Sequence, residues 1–188
     1  MVFLKKNSYL KLFINKVLWR IFSLAERLKW TSYYTTIGNN FDSFGDNIVI
    51  DHGVWFGNPK NISIGNNVFI GKSAIINASK GGHIYLGDGC SIGSNTTIIT
   101  WNLDNLNNRG VIRSENKNIF KNVTIGRGVG VGYNVTINPG ITLGDGCEVA
   151  ASSVVTRDVN SYEIVSGNPA VVIGIRRMNN NYFFEKHQ

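Results

Sequence analysis

A chain of 188 residues with 43% apolar content has room for one domain with a full core, and 21 glycines against 3 prolines point to many tight turns, not to a disordered tract. The formal charge of +7 admits nucleic acid, anionic lipid or a phosphorylated small molecule as partner, yet most of the excess sits at the ends, in Lys5, Lys6, Lys11, Lys16, Arg20, Arg27 and Lys29 and again in Arg176 and Arg177. The middle is nearly balanced and does not interleave basic residues with aromatics, so a nucleic-acid groove is excluded.

In residues 1–36, Leu10, Ile14, Val17, Ile21, Leu24 and Leu28 recur at three- and four-residue steps, with Lys11, Lys16, Arg20 and Arg27 elsewhere around the wheel. This spacing predicts a basic amphipathic helix. Charges interrupt it too often for a transmembrane span. Two roles stay open for it: covering the exposed end of a repeat domain, or lying on an anionic membrane surface.

From Phe44 a large apolar residue returns every sixth position, as in "FGDNIV", "IGNNVF", "IGKSAI", "LGDGCS", "IGSNTT", "IGRGVG" and "LGDGCE". Each hexad reads as a short strand and a turn: the leading residue points inward, Gly or Asn accepts a positive φ at the corner, and a small fifth residue also faces in. Three hexads make a triangular coil of eighteen residues. The anchors group as Phe44/Ile50/Phe56, Ile64/Ile70/Ile76, Leu86/Ile92/Ile98, Ile125/Val131/Ile137 and Leu143/Val149/Val155. The predicted fold is therefore all-β, a parallel β-helix of five coils over residues 37–177.

Every departure from the six-residue spacing falls between the third hexad of one coil and the first of the next: near Asn61, at Lys80 to His83, and in the long loop 101–122. One ridge of the prism carries all the insertions, as binding faces of repeat proteins do. Cys90 and Cys147 take equivalent places two coils apart, about 9 to 10 Å, too far for a disulfide. With no CxxC and no secretory signal they fit small buried residues of a cytoplasmic protein. Residues 178–188 read as a flexible tail.

These hexads, together with "NPGITLGDGCEVAASSVVTRDVNSYEIVSGNPAVVIGIR", resemble the hexapeptide-repeat acyltransferases, and "FGNPKNISIGNNVFIG" is similar to sugar O-acetyltransferases of surface-polysaccharide pathways. The resemblance implies a left-handed helix, a homotrimer, and transfer of an acetyl group from acetyl-CoA to the hydroxyl or amine of a saccharide or lipid-linked saccharide. It also implies a cytoplasmic protein, peripheral at the inner membrane face if the N-terminal helix touches lipid. For acetyl-CoA it points to Gly132, Ala150, Ala151, Ser152, Thr156, Arg157, Asn168, Pro169, Arg176 and Arg177. In that family a loop histidine supplies the base. Here Trp101 or Leu103 stands in its place, and Gly130 stands where a tryptophan is common.

The remaining candidates for proton transfer are His83 on the insertion ridge, Asp104 in the loop, and His52 in "IVIDHGVWFG", each also readable as a solvated turn residue. Trp101 and Asn102 suit sugar stacking and hydroxyl recognition. The competing reading is a non-catalytic trimer that keeps the fold and CoA binding. A zinc site of three imidazoles is not expected, because His52 and His83 belong to different coils and His187 to the tail.

Overall fold

The structure, a computed structural model, describes residues 8–38, 40–79, 81–103, 118–176 and 182–183. It divides into two compact units, Met1–Gly38 and Asn39–Gln188.

The first unit is a single helix, Ser8–Gly38. Among its described side chains Val17, Leu18, Ile21, Phe22, Leu24 and Leu28 are exposed. Among the described residues no helix is long and apolar enough to cross a membrane.

The second unit is a three-faced parallel solenoid. One face stacks Ser43–Phe44, Ile62–Ile64, Ile84–Leu86, Val123–Ile125 and Thr142–Leu143. The next stacks Val49–Ile50, Phe69–Ile70, Ser91–Ile92, Gly130–Val131 and Glu148–Val149. The third stacks Trp55–Gly57, Ile75–Asn77, Thr97–Ile99, Thr136–Ile137 and Val154–Val155. All of these pairings are parallel, and their register sets anchor on anchor: Ile64 on Leu86, Leu86 on Ile125, Ile70 on Ile92, Ile76 on Ile98.

From Phe56 onward the anchors are at most 5% exposed and form one interior column of Ile, Leu and Val per face. Burial of each such side chain stabilises the fold by about 1.5–3 kcal/mol. The fifth place of the hexad also faces in, filled by Val54, Val68, Ala74, Cys90, Thr96, Val129, Val135, Ile141, Cys147 and Ser153.

Phe44, expected inside, is 43% exposed. It belongs to the first coil, which has no coil beneath it. Phe41 packs there instead, its ring centroid 5.2 Å from Phe44 and 5.0 Å from Phe56. At the other end Glu163–Gly167 adds in parallel to the second face, turns back through Asn168 and Pro169 into the antiparallel strand Ala170–Arg176, and Tyr182–Phe183 pairs on its edge.

Gly and Asn do take the positive φ of the corners, as expected, but the glycine that follows each anchor has another reason. Gly45, Gly65, Gly71, Gly87, Gly93, Gly126, Gly132 and Gly144 do not have positive φ. Their constraint is space. A Cβ on Gly93 would sit 2.5 Å from the backbone carbon and oxygen of Gly132, and one on Gly132 would sit 2.6 Å from the Ala151 nitrogen. Corners of successive coils stack backbone to backbone, so no side chain fits between them. Positive φ falls two residues later in the hexad, on Asn47, Asn67, Ser73, Asn95, Asn134 and Ser152, and on Gly89, Gly128 and Gly146.

Gly93→Ala is expected to lower stability by about 2–3 kcal/mol in denaturant unfolding, the scale of forced overpacking. Gly89→Ala, which meets nothing within 4 Å and changes only a residue at φ +68, should lose about 1–2 kcal/mol. Equal losses would refute the stacking account.

Burial pushes the thiols of Cys90 and Cys147 up to about 12 from 9. A raised thiol pKa in the fold means stability that is intact below pH 9 and lost as pH rises from 9 toward 12, by about 1.4 kcal/mol per pH unit per cysteine. A thiol reagent should label both cysteines only as fast as the solenoid opens, and rapid labelling of native protein would contradict their placement.

Candidate active site

The ridge between the third face and the first carries the insertions, as the spacing predicted. Among the described residues, 58–61, 78–79, 81–83, 100–103 and 118–122 leave the regular path there. The long insertion starts and ends as an antiparallel stem, Trp101–Leu103 against Asn118–Phe120, with Trp101 opposite Phe120 and Asn102 opposite Ile119. Residues 104–117, with the candidate Asp104, lie outside the described residues.

The stem is seated firmly. Thr100 is fully buried, and its Oγ1 accepts a hydrogen bond from the Ser79 N–H at 2.8 Å. The Lys121 N–H donates to the Thr100 carbonyl at 2.9 Å. Gly81 leaves room for the Phe120 ring, which would lie 2.6 Å from an added Cβ, and Gly140 does the same for Lys121. Trp101 is half-buried and Asn102 exposed, so both keep surface on the ridge.

His83 sits at the foot of this stem. Its N–H donates to Asn122 Oδ1 at 2.9 Å, and its carbonyl accepts from the Val123 N–H at 2.9 Å. Its ring stacks on Tyr85, with centroids 4.2 Å apart and planes 23° from parallel. Nε2 is 2.8 Å from Ser63 Oγ, which itself donates to Asp42 Oδ2 at 2.7 Å, and Asp42 Oδ2 lies 3.7 Å from Nε2. A serine has one proton to give. With that proton on Asp42, His83 donates through Nε2–H, and Nδ1 is the nitrogen left to accept a proton. The imidazole is thus fixed in ring plane and tautomer, with 18% of its side chain reaching solvent.

Asp42, Ser63 and Asn122 were missed in the sequence because each is remote from His83 along the chain. Their signal was the coil length: Ser63 and Tyr85 are register partners 22 residues apart.

His52 lies elsewhere, on the corner between the second and third faces of the first coil. Its Nδ1 and its backbone N–H both meet Asp51 Oδ1 at 2.7 Å. Burial works to raise the Asp51 pKa, but the hydrogen bonds from His52 and the charges of His52 and Lys72 outweigh it and hold the carboxyl below its ordinary value. The His52 ring is thereby occupied with its neighbour.

The ten residues proposed for CoA fall into three groups. Ala150, Ala151 and Ser152 form the corner after Glu148–Val149, with Gly132 stacked beneath them. The turn of Asn168 and Pro169 joins this corner, because the Gly167 N–H donates to Ser153 Oγ at 3.1 Å and the Ala150 N–H to the Val165 carbonyl at 2.8 Å. Ala151 and Ser152 are exposed, and neither carries a large side chain. Thr156 and Arg157 are exposed on the next corner, the ridge that bears His83. Arg176 stands apart: in the terminal hairpin it pairs near Glu163, about 13 Å along the strand from Gly167. It lies 3.5 Å from Glu148 and 3.4 Å from the Gly128 carbonyl. Arg177 lies outside the described residues.

The sequence profile of the hexapeptide repeat of succinyl-transferase matches residues 61–99 and 122–157, the regular hexads on either side of the inserted stem. The chain is 31% identical to the dTDP-4-amino-4,6-dideoxy-D-glucose acyltransferase of Escherichia coli, over 72% of this chain and 83% of that one. It is 28% identical to the galactoside O-acetyltransferase of Escherichia coli K12, over 79% of this chain and 71% of that one. Among solved structures, a hexapeptide-repeat acetyltransferase of Vibrio cholerae O1 biovar eltor, complexed with acetyl coenzyme A, superposes with a TM-score of 0.68 at 29% identity, over 77% of this chain and 76% of that one. The repeat, the solenoid it builds and these likenesses agree: the chain belongs to the hexapeptide-repeat acyltransferase family.

Proposed function

We propose that this protein transfers an acetyl group from acetyl-CoA to a hydroxyl or amine of a saccharide, in the building of a surface polysaccharide. The observation that carries the reading is the line Asp42–Ser63–His83 at the foot of the inserted stem, on the same ridge as Thr156 and Arg157. The relatives support the choice of acceptor class, since one is named for a galactoside and another for an aminodeoxy sugar nucleotide.

Acetyl-CoA, when bound, supplies an activated acyl carbonyl. Its arm would lie along the strip of Ala150, Ala151 and Ser152, against the turn of Asn168 and Pro169, and the exposed Arg157 would meet its phosphates. His83 Nδ1 takes the proton of the attacking sugar group and returns it to the leaving thiolate. Ser63 and Asp42 hold the ring through Nε2 and stabilise the imidazolium that forms. Trp101 and Asn102 orient the sugar. The acting form is a homotrimer in the cytoplasm, with the stem of one protomer walling the cleft of the next.

The alternative, a non-catalytic homologue, is favoured by one feature, the Trp101-Asn102-Leu103 run where the family's histidine stands. Release of free CoA is measured with a panel of glycosides and nucleotide-linked amino sugars. The wild type is expected to turn over at least one of them, and His83→Ala to lower kcat about 10²–10³-fold with thermal unfolding unchanged. Ser63→Ala should lose less and shift the pH profile. An inert wild type establishes the non-catalytic reading, and an active wild type matched by His83→Ala removes His83 from the mechanism. Ala151→Trp, which fills the small-residue strip, should raise KM for acetyl-CoA about tenfold while leaving kcat near wild type. An unchanged KM would place the cofactor elsewhere.

A further inference from the structure

The helix Ser8–Gly38 has surface chemistry that acyl transfer does not use. Along one side run Val17, Leu18, Ile21, Phe22, Leu24, Ala25 and Leu28, at steps of one, three and four residues. The large ones are 40–67% exposed. Lys16 and Arg20, both exposed, stand on the opposite side. Across residues 15–29 four cations, Lys16, Arg20, Arg27 and Lys29, face a single acid, Glu26. Trp19, 72% exposed, stands at the margin of the cationic side, and Lys29 lies 5.6 Å over the ring of Trp30.

Three physical points narrow the occupant of the apolar side. Its width exceeds the two positions per heptad of a coiled-coil seam, so it suits a broad surface better than the edge of one partner helix. The helix is too charged to cross a bilayer. A broad apolar side, a cationic opposite side and a tryptophan at the margin are what a helix needs to lie in the plane of a lipid interface, and the excess of cations is complementary to anionic headgroups.

We infer that residues 15–29 hold the protein on an anionic membrane surface, the apolar side sunk into the acyl boundary and the basic residues at headgroup level. The inference is independent of the acyl transfer, which can fail or succeed without it.

The test uses the full chain in co-sedimentation with vesicles of phosphatidylcholine alone and with a quarter phosphatidylglycerol. Binding is expected to the anionic vesicles, to weaken steeply between 50 mM and 500 mM salt, and to be much weaker to phosphatidylcholine alone. Lys16→Gln with Arg20→Gln should weaken partition about thirtyfold at low salt. Leu18→Asp with Phe22→Asp should weaken it by about a hundredfold or more, with helix content by circular dichroism and transfer to soluble sugars retained. Wild-type protein that stays in the supernatant, or a Leu18→Asp/Phe22→Asp variant that binds as wild type does, overturns the inference. So does a variant whose only change is a lower mass in sedimentation without vesicles, which would assign the apolar side to a second copy of the chain.

Discussion

Backbone stacking at the corners of the solenoid sets the terms for everything else. Parallel coils about 4.8 Å apart leave no volume between successive corners for a side chain. The residue after each anchor is therefore glycine wherever one corner sits squarely on another, as at Gly71, Gly93 and Gly132. That spacing in turn locks Ile, Leu and Val into unbroken interior columns, since every anchor has an equivalent above and below it. A coil cannot be lengthened within a face without breaking three registers at once. Insertions are confined to a corner, and here all the long ones share the corner between the third and first faces.

Confinement to one ridge brings polar side chains of different coils together. Asp42, Ser63 and His83 come from three successive coils, and the solenoid brings them within hydrogen-bond reach as neighbours in a column. The stem adds Asn122 from a fourth level, which fixes the backbone of His83 from above. Because each residue is held by a rigid coil, the imidazole keeps its tautomer and plane without any contribution from the cofactor. The small residues Ala150, Ala151 and Ser152 mark the neighbouring corner as one where backbone is accessible, against a turn stitched to it through Ser153. The two histidines differ by their partners: His52 is engaged with the carboxylate beside it in sequence, whereas His83 reaches its carboxylate through a serine of another coil.

The two units solve the problem of apolar surface in different ways. The solenoid buries its anchors in interior columns, and its first coil exposes one of them, Phe44, where Phe41 gives partial cover. The helix Ser8–Gly38 exposes Leu18, Ile21, Phe22, Leu24 and Leu28 and places Lys16 and Arg20 on the opposite side.

The six-residue beat alone determined the fold, its five coils, the inward-facing fifth place that holds Cys90 and Cys147, and the ridge that takes the insertions, because periodicity is a local property written at every turn. The insertion ridge pointed to His83, and the family resemblance to the corner of Ala150 to Ser152, as candidates. What the hexad could not express is distance between coils. Asp42, Ser63 and Asn122 became partners of His83 only once the register was fixed, Arg176 turned toward Glu148 at the far end of its hairpin, and the glycines that directly follow the anchors proved to answer to close approach and not to a positive φ. Those facts depend on which backbone lies above which, and that is decided by the packing of the whole solenoid, since no single hexad contains its neighbour in the stack.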